Sequence, residues 1–312
     1  MMDPTQSLKI AIVQRSAIFN NLSESLALAI EIIEDASNKR ANLLVFGECW
    51  LCGYPAWIDH AKDYSRWNDA KTKAEFVRMH QNSVSLKSPE FKALQDASDK
   101  FNICIVIGLN EIDTPSSGTI YNTVVILDQG ELVLHHRKLM PTYTERLLYG
   151  TGDGRGTHAV NTSCGRLGAL ICWEHWMPMV RQRLHDSVET IHIALWPQVH
   201  EMLQIASRHY AFEGRCFVIA VGQVAMDSQM PELLDSNNQN EQMLLNGGSA
   251  VIGPDGYYRL EPQYDNADII YFEIDDLEQT VAERMTLDVA GHYQRPDLFE
   301  YRFKTEHDQL EK

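Results

Sequence analysis

The 312-residue sequence predicts an α/β fold, one domain in which two sheets pack together. Short apolar runs typical of buried strands alternate with amphipathic helical patterns along both halves of the chain. No linker rich in proline, serine or glycine, no low-complexity segment and no tandem repeat separates the halves. Hydrophobic residues make up 44% of the chain, which is enough to bury a large core.

The first half opens with an apolar strand and a helix whose inner face carries Leu26, Ile30 and Ile33 at helical spacing. Pro89 suits the first turn of a later helix, and Asp128-Gln129-Gly130-Glu131 is typical of a hairpin turn. The predicted elements are strand 8–14, helix 22–39, strand 43–46, an irregular aromatic stretch 53–73, helices 74–84 and 89–101, and strands 103–112, 120–128 and 132–138.

The second half repeats this alternation. A polar stretch, 227–246, lacks apolar periodicity and is predicted to be a loop, and Gly253-Pro254-Asp255-Gly256 is predicted to be a turn. The predicted elements are strands 158–162 and 166–172, helix 179–188, strand 191–196, helix 203–214, strands 217–224, 249–252 and 269–274, and helix 277–285.

Cys172 closes the apolar run 167–171 just before a predicted helix. Backbone N–H groups and a helix N-terminus beside a thiol lower its pKa and can hold an oxyanion. Strand position alone would favour a buried packing cysteine, but the Trp173-Glu174-His175-Trp176-Met177-Pro178 segment that follows and the ends of two other strands favour a nucleophile. Four other cysteines lack this context and are assigned to the core. They are Cys49, Cys104, Cys164 and Cys216.

Two other predicted strands also end in an ionisable residue. Glu48 follows strand 43–46, where burial would raise the carboxyl pKa toward that of a general base. Lys138 ends strand 132–138 on the face that carries its leucines, so it points toward the interior and must find a carboxylate or lose its proton. Because ligands bind at the carboxyl ends of strands in open α/β sheets, Glu48, Lys138 and Cys172 are predicted to form a site.

Motifs around these residues follow one another along residues 9–274. They are Phe46-Gly47-Glu48, Gly53-Tyr54-Pro55, His136-Arg137-Lys138-Leu139-Met140-Pro141-Thr142, Glu145-Arg146, Gly150-Thr151-Gly152-Asp153-Gly154, Cys172-Trp173-Glu174-His175, Trp196-Pro197 and Ser207-Arg208-His209-Tyr210-Ala211-Phe212-Glu213-Gly214. This ordered set resembles the nitrilase branch of the carbon–nitrogen hydrolase superfamily. Trp173-Glu174 favours that branch, since amidase branches carry Tyr-Asp, His-Asp or Asn-Asp there. His175 stands where asparagine is commoner.

The resemblance implies a four-layer α–β–β–α sandwich that forms homodimers or larger homo-oligomers. In the family, the residue at Glu48 takes the thiol proton and later activates water, and the residue at Cys172 attacks the substrate. The ammonium at Lys138, with the backbone N–H of Trp173, stabilises the tetrahedral intermediate. The residue at Glu145 holds this lysine and helps to position the substrate; without the resemblance, Glu145 would read as an exposed loop acid.

Supporting residues are predicted around this site. Trp173 and Glu174, which follow the nucleophile, are expected to support it or to position the substrate. Tyr54 and Trp196 suit the wall of a pocket for an apolar or aromatic nitrile, with ordinary core packing as the equal alternative. For the tryptophans at positions 50 and 57, core packing is the favoured interpretation.

The predicted function is that of a nitrilase, which converts an organic nitrile to the carboxylic acid and ammonia through a thioimidate and a thioester on Cys172. The small-molecule nitrile is the expected partner, and no metal or organic cofactor is expected. The alternatives are an amide or carbamoyl hydrolase, a cyanide-hydrolysing enzyme, and a non-enzymatic assembly or binding protein on the same scaffold. The last would require a broken triad, whereas all three positions are intact. The nitrile class stays open.

Two further motifs carry no predicted chemistry. Cys49-Trp50-Leu51-Cys52 is a C-x-x-C, but no thioredoxin-like βαβ context surrounds it and no second pair completes a zinc set. The glycine-rich segment 150–156 does not match a P-loop and does not join a strand to a helix. The first is interpreted as core packing, and the second as a loop near the site.

The net charge of −16, with no basic block, argues against binding to nucleic acid or to an anionic membrane. No apolar run approaches the roughly 20 residues of a membrane span, and residues 1–7 lack the basic segment of a secretory signal. Six cysteines in so long a chain do not form a disulfide framework, so a cytoplasmic protein with reduced thiols is expected. We expect one hydrolase domain over 1–285 and an oligomer-contacting tail over 286–312.

Overall fold

The computed structural model describes residues 7–60, 66–230 and 241–304. The strands are β1 Leu8–Val13, β2 Leu43–Phe46, β3 Cys104–Ile112, β4 Ile120–Asp128, β5 Glu131–Arg137, β6 Val160–Thr162, β7 Gly165–Ile171, β8 Ile191–Leu195, β9 Phe217–Val221, β10 Val224–Met226, β11 Met243–Ile252, β12 Tyr258–Tyr264 and β13 Ile269–Ile274. The helices are α1 Leu22–Asn38, α2 Trp57–His60, α3 Ala70–Gln81, α4 Pro89–Phe101, α5 Pro178–His185, α6 Glu201–Gly214 and α7 Gln279–Arg284. Short 3₁₀ turns lie at Tyr143–Leu147, Cys172–Trp176 and Asp227–Gln229.

Two mixed sheets form the centre of the molecule. In the first sheet the strand order is β13-β1-β2-β3-β4-β5, with β1, β2 and β3 parallel and the outer strands antiparallel to their neighbours. In the second the order is β10-β11-β9-β8-β7-β6, with β7, β8 and β9 parallel and β12 paired with β11. A parallel core in each sheet explains the unbroken apolar runs, because such strands are buried on both faces.

Apolar side chains form separate cores on the two faces of each sheet. In β1, Ile10 and Ile12 pack between the two sheets, whereas Ala11 and Val13 pack toward α1 and α4. On the far side of the second sheet, apolar residues of β7, β8 and β9 pack against α5 and α6. The layers are therefore helix, sheet, sheet and helix, which confirms the predicted α/β class and its four-layer α–β–β–α form.

Several predicted boundaries agree with the structure because local signals set them. Ser88 caps α4 by accepting a hydrogen bond from the Phe91 N–H at 3.3 Å, and Pro89 occupies the first turn, so the helix spans the predicted residues 89–101. The hairpin between β4 and β5 turns at Gln129 and Gly130, both with positive φ, as a tight two-residue hairpin requires.

The prediction is wrong in parts of the segment between 217 and 264. The predicted strand 217–224 is divided into β9 and β10, and β11 begins at Met243 rather than at 249. The predicted loop 227–246 is therefore partly strand, and 231–240 lie outside the described residues. β12 was not predicted, because most of its residues are exposed or half-buried and it lacks the apolar run of a buried strand.

The aromatic stretch also holds more helix than predicted. α2 lies within it, and α3 begins at Ala70 rather than at 74. Asp69 caps α3 by accepting a hydrogen bond from the Thr72 N–H at 2.6 Å, although the first turn of the helix has no apolar periodicity. Residues 1–6, 61–65 and 305–312, on which parts of the N-terminal, aromatic-stretch and tail predictions fall, lie outside the described ranges.

None of the helices in the described ranges combines the length and apolarity needed to cross a bilayer.

Gly108 in β3 is a point of close approach between the first sheet and the loop that carries Glu48. A Cβ atom on Gly108 would lie 2.3 Å from the Gly47 carbonyl oxygen and 2.5 Å from the Cys49 nitrogen. We therefore expect Gly108→Ala to lower the free energy of unfolding by about 1–3 kcal/mol, because backbone atoms must move. Thermal unfolding measures this change. Gly118→Ala is the matched control, since a Cβ there meets nothing within 4 Å, and equal melting temperatures for the two variants would contradict the expectation.

Candidate active site

Glu48 lies two residues beyond the end of β2 and is completely buried. Its Oε1 atom accepts hydrogen bonds from Asn122 Nδ2 at 2.7 Å and from Lys138 Nζ at 2.8 Å. Its backbone carbonyl accepts another from Gln223 Nε2 at 2.7 Å. Sequence reasoning missed Asn122 and Gln223, because they lie on β4 and between β9 and β10, and no local motif links them to Glu48.

Lys138 follows β5 directly and is 1% exposed. Its ammonium donates to Glu48 Oε1 and, at 2.7 Å, to Glu145 Oε2. The inward direction predicted from strand alternation thus brings the lysine between two buried carboxylates, which satisfies its charge.

Glu145 is buried in the 3₁₀ turn at Tyr143–Leu147. Besides the ammonium of Lys138, its carboxylate accepts hydrogen bonds from the Thr142 N–H at 2.7 Å and from Tyr54 Oη at 2.8 Å. The structure therefore places Glu145 and Tyr54 together at the site, with Tyr54 reaching it from the segment before α2.

Cys172 stands at the junction of β7 and the 3₁₀ turn at Cys172–Trp176. Its φ of +50° lies in the left-handed region, where a non-glycine residue is strained, and such strain collects at functional sites. Of the six cysteines, all within the described ranges, the other five are fully buried, whereas Cys172 is partly exposed. Its thiol is the one that a substrate can reach.

The atoms that can react lie close together. A carboxylate oxygen of Glu48, one of Glu145 and the Cys172 sulfur are all within 4.8 Å of one another. Such a set has the donors of a metal site, but both carboxylates already bind the Lys138 ammonium, so a metal ion there would compete with a resident cation.

Burial controls the ionisation of this cluster. It raises the pKa of Glu48 to about 7, against the opposing effect of Lys138. For Lys138 itself burial opposes the charge, but Cys172, Glu48 and Glu145 outweigh it and raise the lysine pKa well above its ordinary range. The site therefore pairs a carboxyl group that exchanges protons near neutral pH with a permanent cation.

The pKa of the Cys172 thiol differs from the sequence prediction. Burial raises the pKa of Cys172 to about 12, with Lys138 opposing and Glu48 and Glu145 adding to the rise. The expected lowering of this pKa was wrong, because burial outweighs the opposing effect of Lys138 and because Cys172 begins a five-residue 3₁₀ turn rather than an α-helix. The resting thiol is protonated and needs a base.

A cavity of about 430 Å³ opens onto Cys172 and is mainly apolar. Trp196, fully buried, and Trp173, 45% exposed, both contribute to it, as does Tyr54. The remaining lining residues are Ala56, Asp59, His60, Thr142, Trp176, Pro197, Gln198, His200, Met202, Leu203, Leu244 and Leu245. Trp176, Leu244 and Leu245 were missed in the sequence, since an apolar residue in a turn or strand looks like ordinary core.

Glu174 lies behind the cavity rather than in its lining. It is fully buried and accepts hydrogen bonds from His136 Nε2 at 3.0 Å and from the N–H groups of Leu139 and Ile171, both at 2.7 Å. Leu139 follows Lys138, and Ile171 precedes Cys172. Glu174 thus connects the ends of β5 and β7. The sequence predicted either support of the nucleophile or positioning of the substrate for Glu174, and could not distinguish the two roles.

The tryptophans at 50 and 57 are core residues outside the cavity lining, as the favoured interpretation predicted. Trp50 donates from its indole N–H to the Arg15 carbonyl at 2.6 Å. The C-x-x-C residues Cys49 and Cys52 are buried free thiols, and Cys49 Sγ lies 3.4 Å from Tyr149 Oη.

Comparisons with known proteins agree with this architecture. The family model described as carbon-nitrogen hydrolase matches residues 9–283. An aliphatic nitrilase of Rhodococcus rhodochrous is 34% identical over 96% of this chain and 80% of its own length. A nitrilase of Pseudomonas syringae pv. syringae (strain B728a) is 33% identical over 96% of this chain and 90% of its own. An arylacetonitrilase of Macrophomina phaseolina (strain MS6) is 31% identical over 94% and 90%, respectively.

Solved structures show the same fold. The carbon-nitrogen hydrolase from Helicobacter pylori G27 has a TM-score of 0.74 at 18% identity and covers 99% of this chain and 100% of its own. Since a family model spans most of the chain and relatives above 30% identity cover nearly all of it, the chain belongs to the carbon–nitrogen hydrolase family, in its nitrilase branch, and is a hydrolase.

Proposed function

We propose that this enzyme is a nitrilase, which hydrolyses an organic nitrile to the carboxylic acid and ammonia with Cys172 as nucleophile. The observation that carries the proposal is the cluster of Glu48, Lys138, Glu145 and Cys172 beside an apolar cavity. It brings a base, a cation and a thiol to one point, which is the set that nucleophilic catalysis on a carbon–nitrogen bond requires.

In the first half of the proposed reaction, Glu48 accepts the Cys172 thiol proton, and the thiolate forms a bond to the nitrile carbon. The nitrile nitrogen takes up the proton, which gives a thioimidate. Glu48 suits the role of base because burial holds its pKa at about 7, so that it can both accept and return a proton near neutral pH, and the thiol needs a base because its pKa of about 12 leaves too little free thiolate.

In the second half, a water that gives a proton to Glu48 adds to the thioimidate carbon, and the carbon–nitrogen bond breaks to release ammonia. A second water then cleaves the remaining thioester, which frees the acid and restores the Cys172 thiol. Lys138 and the backbone N–H of Trp173 stabilise the negative charge of each tetrahedral intermediate, and Lys138 can do so because its neighbours keep it protonated.

The cavity supports an uncharged, apolar substrate. Among the described lining residues there is no lysine or arginine, and one of them, Asp59, is an exposed acid. A carboxylate on the substrate would meet Asp59 together with Glu48 and Glu145 and would find no permanent cation except the one already bound by the two glutamates. Tryptophan and leucine side chains instead offer contact to an aromatic or aliphatic group. Relatives named aliphatic nitrilase and arylacetonitrilase agree with this choice.

We also propose that the enzyme is a cytoplasmic homodimer or larger homo-oligomer, and that the tail takes part in the assembly. All six cysteines are free thiols, which a reducing compartment maintains. Two apolar side chains on one face of α6, Ile205 and Phe212, are about half exposed, as is common at contacts between subunits. The described part of the tail packs on α5, where Gln182 Nε2 donates to the Val289 carbonyl at 3.2 Å.

Product analysis tests the proposed function. A panel of nitriles and their cognate amides is incubated with purified enzyme, and acid and ammonia are quantified. We expect acid and ammonia from nitriles with little turnover of amides, and their loss in Cys172→Ala, because no other described cysteine reaches the cavity. Turnover by Cys172→Ala at the wild-type rate would contradict the assignment of the nucleophile, and a preference for amides would move the enzyme to an amidase activity with the same residues.

The pH dependence of thiol alkylation tests the role of Glu48. Above its pKa of about 7 the Glu48 carboxylate can accept the Cys172 proton, and below it the carboxyl group is protonated and cannot. Alkylation of Cys172 by iodoacetamide should therefore slow as pH falls through about 7. Glu48→Gln should lose this inflection, with Cys172→Ala as the labelling control. The same inflection in Glu48→Gln would assign it to another group.

A matched pair of nitriles tests the substrate class. We expect kcat/KM for 3-phenylpropionitrile to exceed that for 3-cyanopropanoate by at least about 100-fold, since burial of an unpaired carboxylate costs several kcal/mol. Met202→Arg places a cation at an exposed position of the cavity lining and should lower this ratio of kcat/KM values. Met202→Leu adds no charge and should leave the ratio unchanged. A wild-type preference for the carboxylate substrate would overturn the proposed class.

A further inference from the structure

A pair of buried histidines lies behind the nucleophile. His175 Nδ1 is 2.9 Å from the carbonyl oxygen of Cys172, and His175 Nε2 is 3.0 Å from His192 Nε2 on β8. Both rings are at most 1% exposed. None of the catalytic steps above uses them, yet one of them contacts the backbone of the nucleophile itself.

The pair continues into a buried carboxylate. His192 Nδ1 is 2.9 Å from Glu189 Oε2, and Tyr210 Oη donates to Glu189 Oε1 at 2.5 Å. Glu189 also lies near a third histidine: His185 Nδ1 is 3.6 Å from Glu189 Oε1, and His185 Nε2 is 3.2 Å from Glu213 Oε2. Glu189, His192 and Tyr210 are all buried, so this chain of polar groups is enclosed by protein.

The hydrogen-bond partners determine how many protons the two rings hold. The Cys172 carbonyl can only accept, so His175 Nδ1 carries a proton, and the Glu189 carboxylate accepts, so His192 Nδ1 carries one too. The two Nε2 atoms face each other and share one proton between them. Three protons on four ring nitrogens give the pair one positive charge, which Glu189 balances.

The surroundings support this assignment. Burial, followed by the neighbouring His192, holds the pKa of His175 well below its ordinary range, so His175 is neutral and its one ring proton lies on Nδ1, the atom that faces the Cys172 carbonyl. Burial opposes the ionisation of Glu189, but His192 and His185 outweigh it and hold the pKa of Glu189 below its ordinary range. Because His192 Nε2 faces His175 Nε2 and the Cys172 carbonyl faces His175 Nδ1, these contacts fit only the Nδ1–H tautomer of His175.

The Cys172 carbonyl belongs to the same peptide group as the Trp173 N–H. A trans peptide is planar, and its C=O and N–H point in opposite directions. Hydrogen bonding of the carbonyl by His175 therefore also sets the direction of the N–H on the opposite edge. That N–H is the backbone donor to the tetrahedral intermediate in the proposed reaction.

We propose that His175, held in one tautomer by the buried His192–Glu189 pair, is a positioning residue that orients the Cys172–Trp173 peptide so that the Trp173 N–H points at the negative charge that develops on the substrate, on nitrogen in the attack on the nitrile and on oxygen in the tetrahedral intermediates. The inference rests on the proposed function and assigns it a residue beyond the reacting groups. His175 touches neither the substrate nor the reacting atoms.

The His175 ring is itself held on several sides. It stacks on Trp196, a residue of the cavity wall, with ring centroids 4.6 Å apart and planes inclined by 29°. Arg181 Nη1 donates to the His175 carbonyl at 3.1 Å and, through Nε, to Glu213 at 2.7 Å. Because the ring cannot rotate without losing its stack on Trp196 and its contact with His192, its hydrogen bond to Cys172 has a defined direction.

The test compares two reactions of the same thiol. Attack on a nitrile creates negative charge on the nitrile nitrogen, which the Trp173 N–H must stabilise, whereas alkylation by iodoacetamide places no such charge on the group that is transferred. In His175→Phe, which retains the ring but not the donor, we expect the single-turnover rate of thioimidate formation, followed by intact-protein mass spectrometry, to fall about 10- to 100-fold. The alkylation rate of Cys172 should stay unchanged, and kcat should fall more than KM rises.

Two further variants separate positioning from general damage. His175→Asn retains an N–H that can donate to the Cys172 carbonyl, so it should recover part of the lost rate. His185→Phe is the matched control, since His185 contacts Glu189 and Glu213 but not Cys172. His185→Phe should lower the melting temperature without changing the ratio of the rate of thioimidate formation to the rate of alkylation.

Other outcomes would overturn the inference. An unchanged rate of thioimidate formation in His175→Phe would mean that the His175 ring does not orient the peptide. An equal fall in the rates of thioimidate formation and alkylation would show a structural role only. If the wild type prefers amides, the same ratio is measured on an amide, whose tetrahedral intermediate carries the developing negative charge on oxygen instead of nitrogen. A wild type inert to both would overturn the proposed function itself, a result read from the unmutated enzyme.

Discussion

The structure depends on one buried cation. The ammonium of Lys138 lies between the carboxylates of Glu48 and Glu145 at 2.8 and 2.7 Å, and all three side chains are at most 2% exposed. Removal of one partner of a buried ion pair leaves an uncompensated charge and costs about 3–5 kcal/mol. The end of β2, the end of β5 and the 3₁₀ turn at Tyr143–Leu147 must therefore meet, and their meeting point is where the thiol of β7 arrives from the other sheet.

The charges and the burial of these groups also determine the chemistry of the site. A cation that is kept protonated by its neighbours can stabilise an anion, and a carboxyl group whose pKa is raised by burial can exchange protons near neutral pH. The thiol gains little from Lys138, because its own burial is the larger effect. Glu174 and His175 then hold the backbone on either side of Cys172, one at the Ile171 N–H and the other at the Cys172 carbonyl, which keeps the strained residue in place.

Much of the fold was predictable because local rules decided it. The alternation of strand and helix, the cap and proline of α4 and the hairpin at Gln129-Gly130 all depend on neighbours in sequence. The direction of Lys138 followed from the two-residue period of β5. β12 was missed because it is exposed or half-buried on an edge of the second sheet, where hydrogen bonds to β11 substitute for an apolar pattern. The first half of β11 was missed because Asn246-Gly247-Gly248 interrupts the apolar residues of the strand.

By itself, the sequence determined the α/β class, the family resemblance and the strand ends that carry Glu48, Lys138 and Cys172, because each of these is written in a short, continuous stretch of residues. Only the tertiary structure decided which other side chains join them. Asn122 on Glu48, Tyr54 on Glu145 and the His192–Glu189 pair behind His175 come from segments far apart in the chain. Their contacts depend on the order and register of strands within each sheet and on how the two sheets pack, which no local pattern specifies.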